Sequence, residues 1–396
     1  MRFRLAAALA AANRCDTAIV VANAGEILAP EDALGPLVVG ACAERAGHYD
    51  AAIADYHAFV EAHPTAPGVG AVRARSALAL RAAADQTARA ALANESQLAH
   101  LPPEPHTLAV LPVVVAGDSS VQPLSRGLAE LITTDLATIR DLRLLERLEV
   151  GTLVDEMKLS ASGRVDPATA ARVGRMLRAE RMVQGVAQIP LAGSVRLSAS
   201  VVTGTGTVAP ARTETGPFKA LLDLEKQLVF DLSAQLGITL TQSERELILK
   251  QGPKSLVAFL SYSQGLEAMD HGDYEAAAAY FSAAFHADPT FQAARDAQQT
   301  AQSTPAVQSS PASPGGLVTA TQTSAPGPTP GIAAGNALGS SSGDIAPSRA
   351  DLASQAAGGA GTGVSATQRQ PASENQGVST VVSASGLIQI IFRLPP

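Results

Sequence analysis

The side chains in this sequence best suited to metal binding or nucleophilic chemistry are seven histidines (His48, His57, His63, His100, His106, His271 and His286) and two cysteines, Cys15 and Cys42. Two zinc ligands on one helix face would lie four residues apart, and no two of these histidines do. Neither cysteine has a histidine at ligand spacing, which argues against a zinc site built on them. The cysteines read as two separate buried thiols, with a Cys15–Cys42 disulfide as the alternative in an oxidising compartment. No nucleophile elbow sets a G-x-S-x-G between a strand and a helix, and a Ser–His–Asp set would have to be gathered from scattered positions. Gly204-Thr205-Gly206 falls in a hairpin pattern and Gly68-Val69-Gly70 follows Pro67, so neither is a strand-to-helix phosphate cradle. Glu130 and Asp135 read as the solvated side of a helix. The sequence therefore predicts no catalytic residue, no cofactor, no metal and a protein that is not an enzyme.

Composition narrows the partners. The 396 residues carry a net charge of −7 and no Trp, and only 16% are charged. With a pI near 5.5 and no Lys/Arg run, the chain lacks the clustered basic surface of a nucleic-acid binder. No apolar run reaches the roughly 18 residues of a membrane helix. Protein or peptide partners, and self-association, are the interactions to expect.

The elements that must hold any binding site begin with a repeat. LVVGACAERAGHYDAAIADYHAFVEAHP (Leu37–Pro64) and YSQGLEAMDHGDYEAAAAYFSAAFHADP (Tyr262–Pro289) align without gaps. The alignment pairs Gly40 with Gly265, Gly47 with Gly272, Tyr56 with Phe281 and Pro64 with Pro289. These look like the small and large positions of the tetratricopeptide repeat (TPR), where a small residue lets two helices approach and an aromatic fills the groove. A weaker copy, Asp16–Pro30, precedes Asp50–Pro64 by the ~34-residue period of that repeat. Met1–Ala12 then reads as a repeat helix rather than a targeting segment, which would put any signal sequence upstream of Met1. Val69–Leu98 continues as a helical cap. Binding in such repeats comes from the first helix of each pair, which singles out Val38, Glu44, Arg45 and Gln264.

Between the repeats, strand and helix patterns alternate over 106–242. Leu108–Val115 (LAVLPVVV) reads as one buried strand, Val121–Arg140 as an amphipathic helix and Arg143–Glu146 as a short strand. Asp166–Pro167 starts a helix. Arg181–Ile189 and Ser194–Thr203 read as strands, a third strand follows the hairpin turn, and Phe218–Leu236 closes the domain as a helix. Arg147, next to a strand end, is the one further partner-binding candidate. From 299 to 379 the composition turns to Pro, Gly, Ser, Ala and Gln, as in a disordered linker. GLIQIIFRLPP then places Ile388, Ile390, Phe392 and Leu394 on one face of a terminal strand at 386–394. That strand is expected to add to the domain's own sheet or to a partner's sheet edge.

LAVLPVVV, LSRGLAELITTDLATIRDLRLLER, DPATAARVGRMLRAERMVQGVAQ and SVRLSASVV, in that order over about Leu108–Leu240, resemble the CsgG/TolB-N-terminal-like superfamily, FlgO-like members included. Gly216–Ile238 is similar to the closing helix of its curli-type branch. The resemblance implies a periplasmic or outer-membrane-associated fold with no catalytic residues to carry over. Channel activity is not implied, because a lipobox cysteine is missing and Gly151–Val165 is too short and polar for a transmembrane hairpin. The expected fold class is α+β multidomain, with TPR-type hairpins (1–98 and 255–297) flanking a small two- or three-layer α/β domain. The expected function is an envelope assembly or export scaffold. The alternative is a cytoplasmic signalling adaptor with a TolB-like domain and repeats.

Overall fold

The computed structural model describes residues 1–158, 166–190, 194–309, 378–382 and 388–392. The linker expectation for 310–377 lies outside the described residues, as do Gly386 and Leu394 at the ends of the expected terminal strand. The chain divides into two compact units, Met1–Pro326 with Thr380–Ile390, and the remainder.

Small side chains build the helical part of the first unit. Helices α1 (Arg2–Ala11) and α2 (Cys15–Glu26) form one hairpin, and α3 (Leu34–Arg45) and α4 (Tyr49–Ala62) the next. A long α5 (Val69–Ala93) and a short α6 (Glu95–Leu98) follow. Ala6, Ala7, Ala10, Ala18 and Ala22 are fully buried, which brings the backbones of α1 and α2 close without large side chains between them. After the α/β domain come α12 (Leu256–His271), α13 (Tyr274–Ala287) and α14 (Gln292–Ser309). The two aligned hairpins use one packing device. A Cβ on Gly40 would stand 2.2 Å from the Tyr56 ring, and one on Gly265 would stand 2.5 Å from the Phe281 ring.

Helical hairpins flank the sheet domain as expected, but they are not two separate groups. Helix α14 packs against α5 as well as α13, so the helices before and after the domain form one layer with the domain inserted into it. Most of α14 lies in the segment whose composition predicts a linker. Its buried stripe consists of Ala294, Ala301, Thr304 and Val307, too poor in large apolar residues to show in a periodicity.

The cysteines require a second correction. Cys15 and Cys42 are joined as a disulfide, with their Cα atoms 5.6 Å apart, rather than standing as two thiols. Spacing in sequence held no information on this distance. It follows from the way the start of α2 lies on the C-terminal half of α3.

The α/β domain comprises β1 (Glu104–Val110), β2 (Val114–Gly117), α7 (Leu124–Leu136), β3 (Arg143–Leu144), α8 (Arg147–Glu156) and α9 (Pro167–Met176). It continues with β4 (Ala179–Ile189), β5 (Ser194–Thr203), β6 (Arg212–Pro217), α10 (Leu221–Gln235) and α11 (Gln242–Lys250). The six-stranded sheet runs β3-β1-β4-β5-β6, with β2 also on β4. Pairing is parallel among β1, β2, β3 and β4 and antiparallel from β4 to β6. Leu108–Val115 is therefore two strands, not one. Pro112 has no N–H for the ladder, and the register moves from Val110↔Val183 to Val114↔Val186, one residue gained on the β1–β2 side.

The apolar stripe of α7 is buried as patterned, with Leu124, Leu128, Leu131, Ile132 and Leu136 at 4% exposure or less. They share a core with Val195, Leu197 and Val201 of β5 and Leu228, Val229 and Leu232 of α10. Helix α11 carries no apolar periodicity, because Ile248 is its one buried residue. Its start is nonetheless written in the sequence as a capping box, Thr241 with Glu244.

Strands β7 (Val378–Val382) and β8 (Ile388–Phe392) pair with each other as a two-stranded sheet. The terminal strand thus has a neighbour in sequence on one of its edges, a pairing that closes a short loop. Among the described residues no helix is long and apolar enough to cross a membrane.

Candidate functional site

The sheet changes direction at β1. The chain leaves β1 through α7 to reach β3 on one side, then returns through α8 and α9 to β4 on the other. Crevices in open α/β sheets form at such a switch, beyond the carboxyl ends of the parallel strands. Here that position holds Pro112 and the first turns of α7 and α8, which present Arg126 and Arg147. The helical layer meets them from outside. Helix α12 brings Asp270 in its last turn, and α5 brings Arg81.

These side chains form a compact ionic junction. The Arg147 guanidinium donates to both Asp270 oxygens at 2.9 and 3.1 Å, and through Nε to Glu130 at 2.8 Å. Arg126 Nε donates to Asp270 Oδ2 at 2.8 Å, and its other nitrogens lie 3.8 Å from Asp155 and 3.9 Å from Glu267. Arg81 donates to the terminal carbonyls of α12, Met269 at 3.2 Å and Asp270 at 2.6 Å. The Met269 carbonyl also accepts from Gly272 N at 3.1 Å, whereas the Asp270 carbonyl lies past the last turn's own donors, so Arg81 caps the helix and meets the negative end of its dipole. Burial works against ionising Asp270, but Arg147 and Arg126 outweigh it and hold its carboxyl below the ordinary value. Burial likewise opposes charge on Arg147, while Asp270 and Glu130 keep it above its usual range. A cavity of about 390 Å³ opens beside the junction, lined by Arg81, Ser125, Arg126, Arg147, Thr152 and Asp270 among others.

A bidentate Arg–carboxylate pair fixes orientation as well as distance. The arrangement therefore fastens two layers and leaves a cleft of mixed charge between them. Among the described residues, no group of three His, Cys, Asp or Glu side chains is placed to hold a metal.

The residues singled out from sequence do not converge. Val38 is fully buried in the helical core. Glu44 accepts from the Tyr56 hydroxyl at 2.7 Å and from Arg75 at 2.8 Å, so its carboxylate is engaged within the array. Arg45 donates across to Ala10 O at 2.6 Å and to Asn13 at 3.2 Å, bracing the α1–α2 turn beside the disulfide. Gln264 is half-buried on α12. Arg147 belongs to the junction, where its guanidinium is spent within the chain.

The solvated-side reading fails for one of the two acidic residues. Asp135 is 1% exposed with an ion pair to Lys226 of α10, whereas Glu130 stays about 31% exposed while accepting from Arg147. For Asp135 the signal was present, since it lies four residues after Leu131 inside the apolar stripe. Arg126 and Asp270 went unmarked because one face of a charged helix cannot be seen, in sequence, to meet another layer.

Fold and junction define a class: a small mixed α/β domain inserted in a helical array and locked to it by partly buried ion pairs. Residues 111–188 match the family of the curli production assembly/transport component CsgG. The matched segment runs from the end of β1 nearly to the end of β4 and includes Arg126 and Arg147. The helical hairpins fall outside it. A search of curated proteins found no match to the chain.

Proposed function

We propose that this chain is a non-enzymatic, envelope-associated scaffold for assembly or export, binding protein partners through tetratricopeptide-type hairpins and a CsgG-like domain. The observation that carries the reading is the match of residues 111–188 to a family described by curli assembly and transport. The Cys15–Cys42 disulfide adds support, because such bonds persist in the periplasm and at cell surfaces and are rare where thiols are kept reduced. The shared packing of Gly40 on Tyr56 and Gly265 on Phe281 supports the repeat reading. In this role the junction holds the sheet domain at one fixed angle to the helical layer, so that a partner bound on one is presented to the other. Self-association would go through the sheet domain.

The test is fractionation of cells making the native protein, with free thiols in each fraction trapped by a maleimide under denaturing, non-reducing conditions. The expected result is envelope association with neither cysteine labelled, and reduced surface delivery of an exported protein when the gene is deleted. A soluble, doubly labelled protein would overturn the reading and favour a cytoplasmic adaptor.

A further inference from the structure

Beneath the sheet domain's outer helices lies a charged group that the junction does not use. Helix α10 buries Leu221, Glu225, Leu228, Val229 and Leu232, so Glu225 takes a position in the stripe that an apolar residue would ordinarily fill. It is 0% exposed. Opposite it stands Asp135 of α7, and between them the Lys226 ammonium pairs with Asp135 Oδ2 and lies 3.3 Å from Glu225 Oε2. Among the described residues, neither Glu225 oxygen accepts a hydrogen bond, and Asp135 Oδ1 has no donor either.

The charge count decides what is missing. Two carboxylates and one ammonium would leave a net negative charge in a closed apolar site, which is far more costly than keeping one carboxyl neutral. A protonated Glu225 gains an O–H, and Asp135 Oδ1 is the open acceptor facing it. One proton thus neutralises the site and pairs two of the three orphaned oxygens.

We propose that Asp135, Glu225 and Lys226 form a proton-dependent lock between α7 and α10, closed while the two carboxyls share a proton and opened when that proton is lost. Among the described residues, Lys226 is the one cation in contact with the two carboxyls. The β5 side chains under α10 are Val195, Leu197, Ala199 and Val201, and Phe259 of α12 is equally apolar. Lys254, between α11 and α12, exerts a weaker attraction on Asp135. Burial, reinforced by Asp135, pushes the Glu225 carboxyl up to about 8. Burial raises Asp135 as well, against the pull of Lys226. The titration belongs to the pair rather than to either residue.

The sign follows from linkage. A raised folded-state value means that the contribution is full below the ordinary glutamate range and is lost as pH rises through the folded value. Helix α7 also carries Arg126 and Gly127, both turned toward α12, so opening the lock loosens the seat of the helical hairpin.

Infrared spectroscopy of the full chain tests this directly. A carbonyl stretch from a protonated carboxylic acid should persist at about pH 7, where ordinary carboxyls are ionised, and vanish by about pH 9.5. Glu225→Gln should abolish the band and flatten the fall of Tm between about pH 4.5 and about pH 8, from the unfolded to the folded value. Hydrogen exchange of α7 and α10 should accelerate several-fold with rising pH in the wild type, beyond the intrinsic pH effect, and not in the variant. Absence of the band in the wild type would overturn the proposal, whether or not the variant folds. So would an unchanged Tm slope in Glu225→Gln.

Discussion

Removing the Arg147 guanidinium would leave Asp270 with Arg126 as its remaining close cation and Glu130 with none in contact. Breaking one side of a largely buried ion pair costs about 3–5 kcal/mol, and the surviving Arg126 places Arg147→Ala near the lower end. Chemical denaturation should show this loss. Arg147→Lys should recover only part of it, because an ammonium cannot hold both Asp270 oxygens in one plane. Asp270 gives the same site a pH signature. Its carboxyl is held below the ordinary value, so its contribution is present above the unfolded value and is lost as pH falls through the folded one. Stability measured from about pH 5 down to about pH 2 should therefore drop less steeply in Asp270→Asn than in the wild type. An identical slope would mean that the junction carries no acid sensitivity. Arg147 could be marked from sequence because it follows a strand end. Its partner could not, since Asp270 lies more than a hundred residues on, in a helix turn whose charges look ordinary.

At the scale of elements, the α1–α2 hairpin rests on α3 largely through alanine, with Phe3 as its large buried side chain. Alanine contacts bury little area each, so a covalent tie matters more here than it would over a leucine-rich interface. The Cys15–Cys42 bond closes a loop of sequence separation 27. Loop-closure entropy assigns a bond of that span ~3.6 kcal/mol. Cys42→Ser, or reduction with a dithiol, should lower Tm and speed hydrogen exchange in α1 and α2 while leaving α7 and α10 unaffected. If exchange in α1 and α2 did not change, alanine packing and the Arg45 brace would suffice alone. The helices themselves were readable, because alanine stripes and small-to-large repeat positions recur at helical spacing. The bond was not readable, and neither was the break at Pro112. Both depend on where neighbouring elements lie, which local pattern does not encode.

At the scale of the whole molecule, the sequence shows two helical segments on either side of a sheet domain, and the structure joins them. Helix α5 is the hinge of that result. It packs on α4, α8 and α14, and Arg73 pairs with Asp296 at 3.0 Å while donating to Gln299 at 3.1 Å. Val307 of α14 enters the apolar cluster formed by α1 to α5. Such contacts, between residues more than two hundred positions apart, have no local signature, which is why a repeat can be recognised while its neighbour in space cannot. They also make the segment between α6 and β1 mechanically dispensable. His100, Leu101, Pro102 and Pro103 are exposed, so a specific protease site inserted after Leu101 should be cut without unfolding either side. The nicked protein should then elute from a sizing column as one species under native conditions and separate into two fragments in urea. Separation under native conditions would mean that the helical groups stand apart, and a partner would then meet two independent binding surfaces rather than one continuous layer.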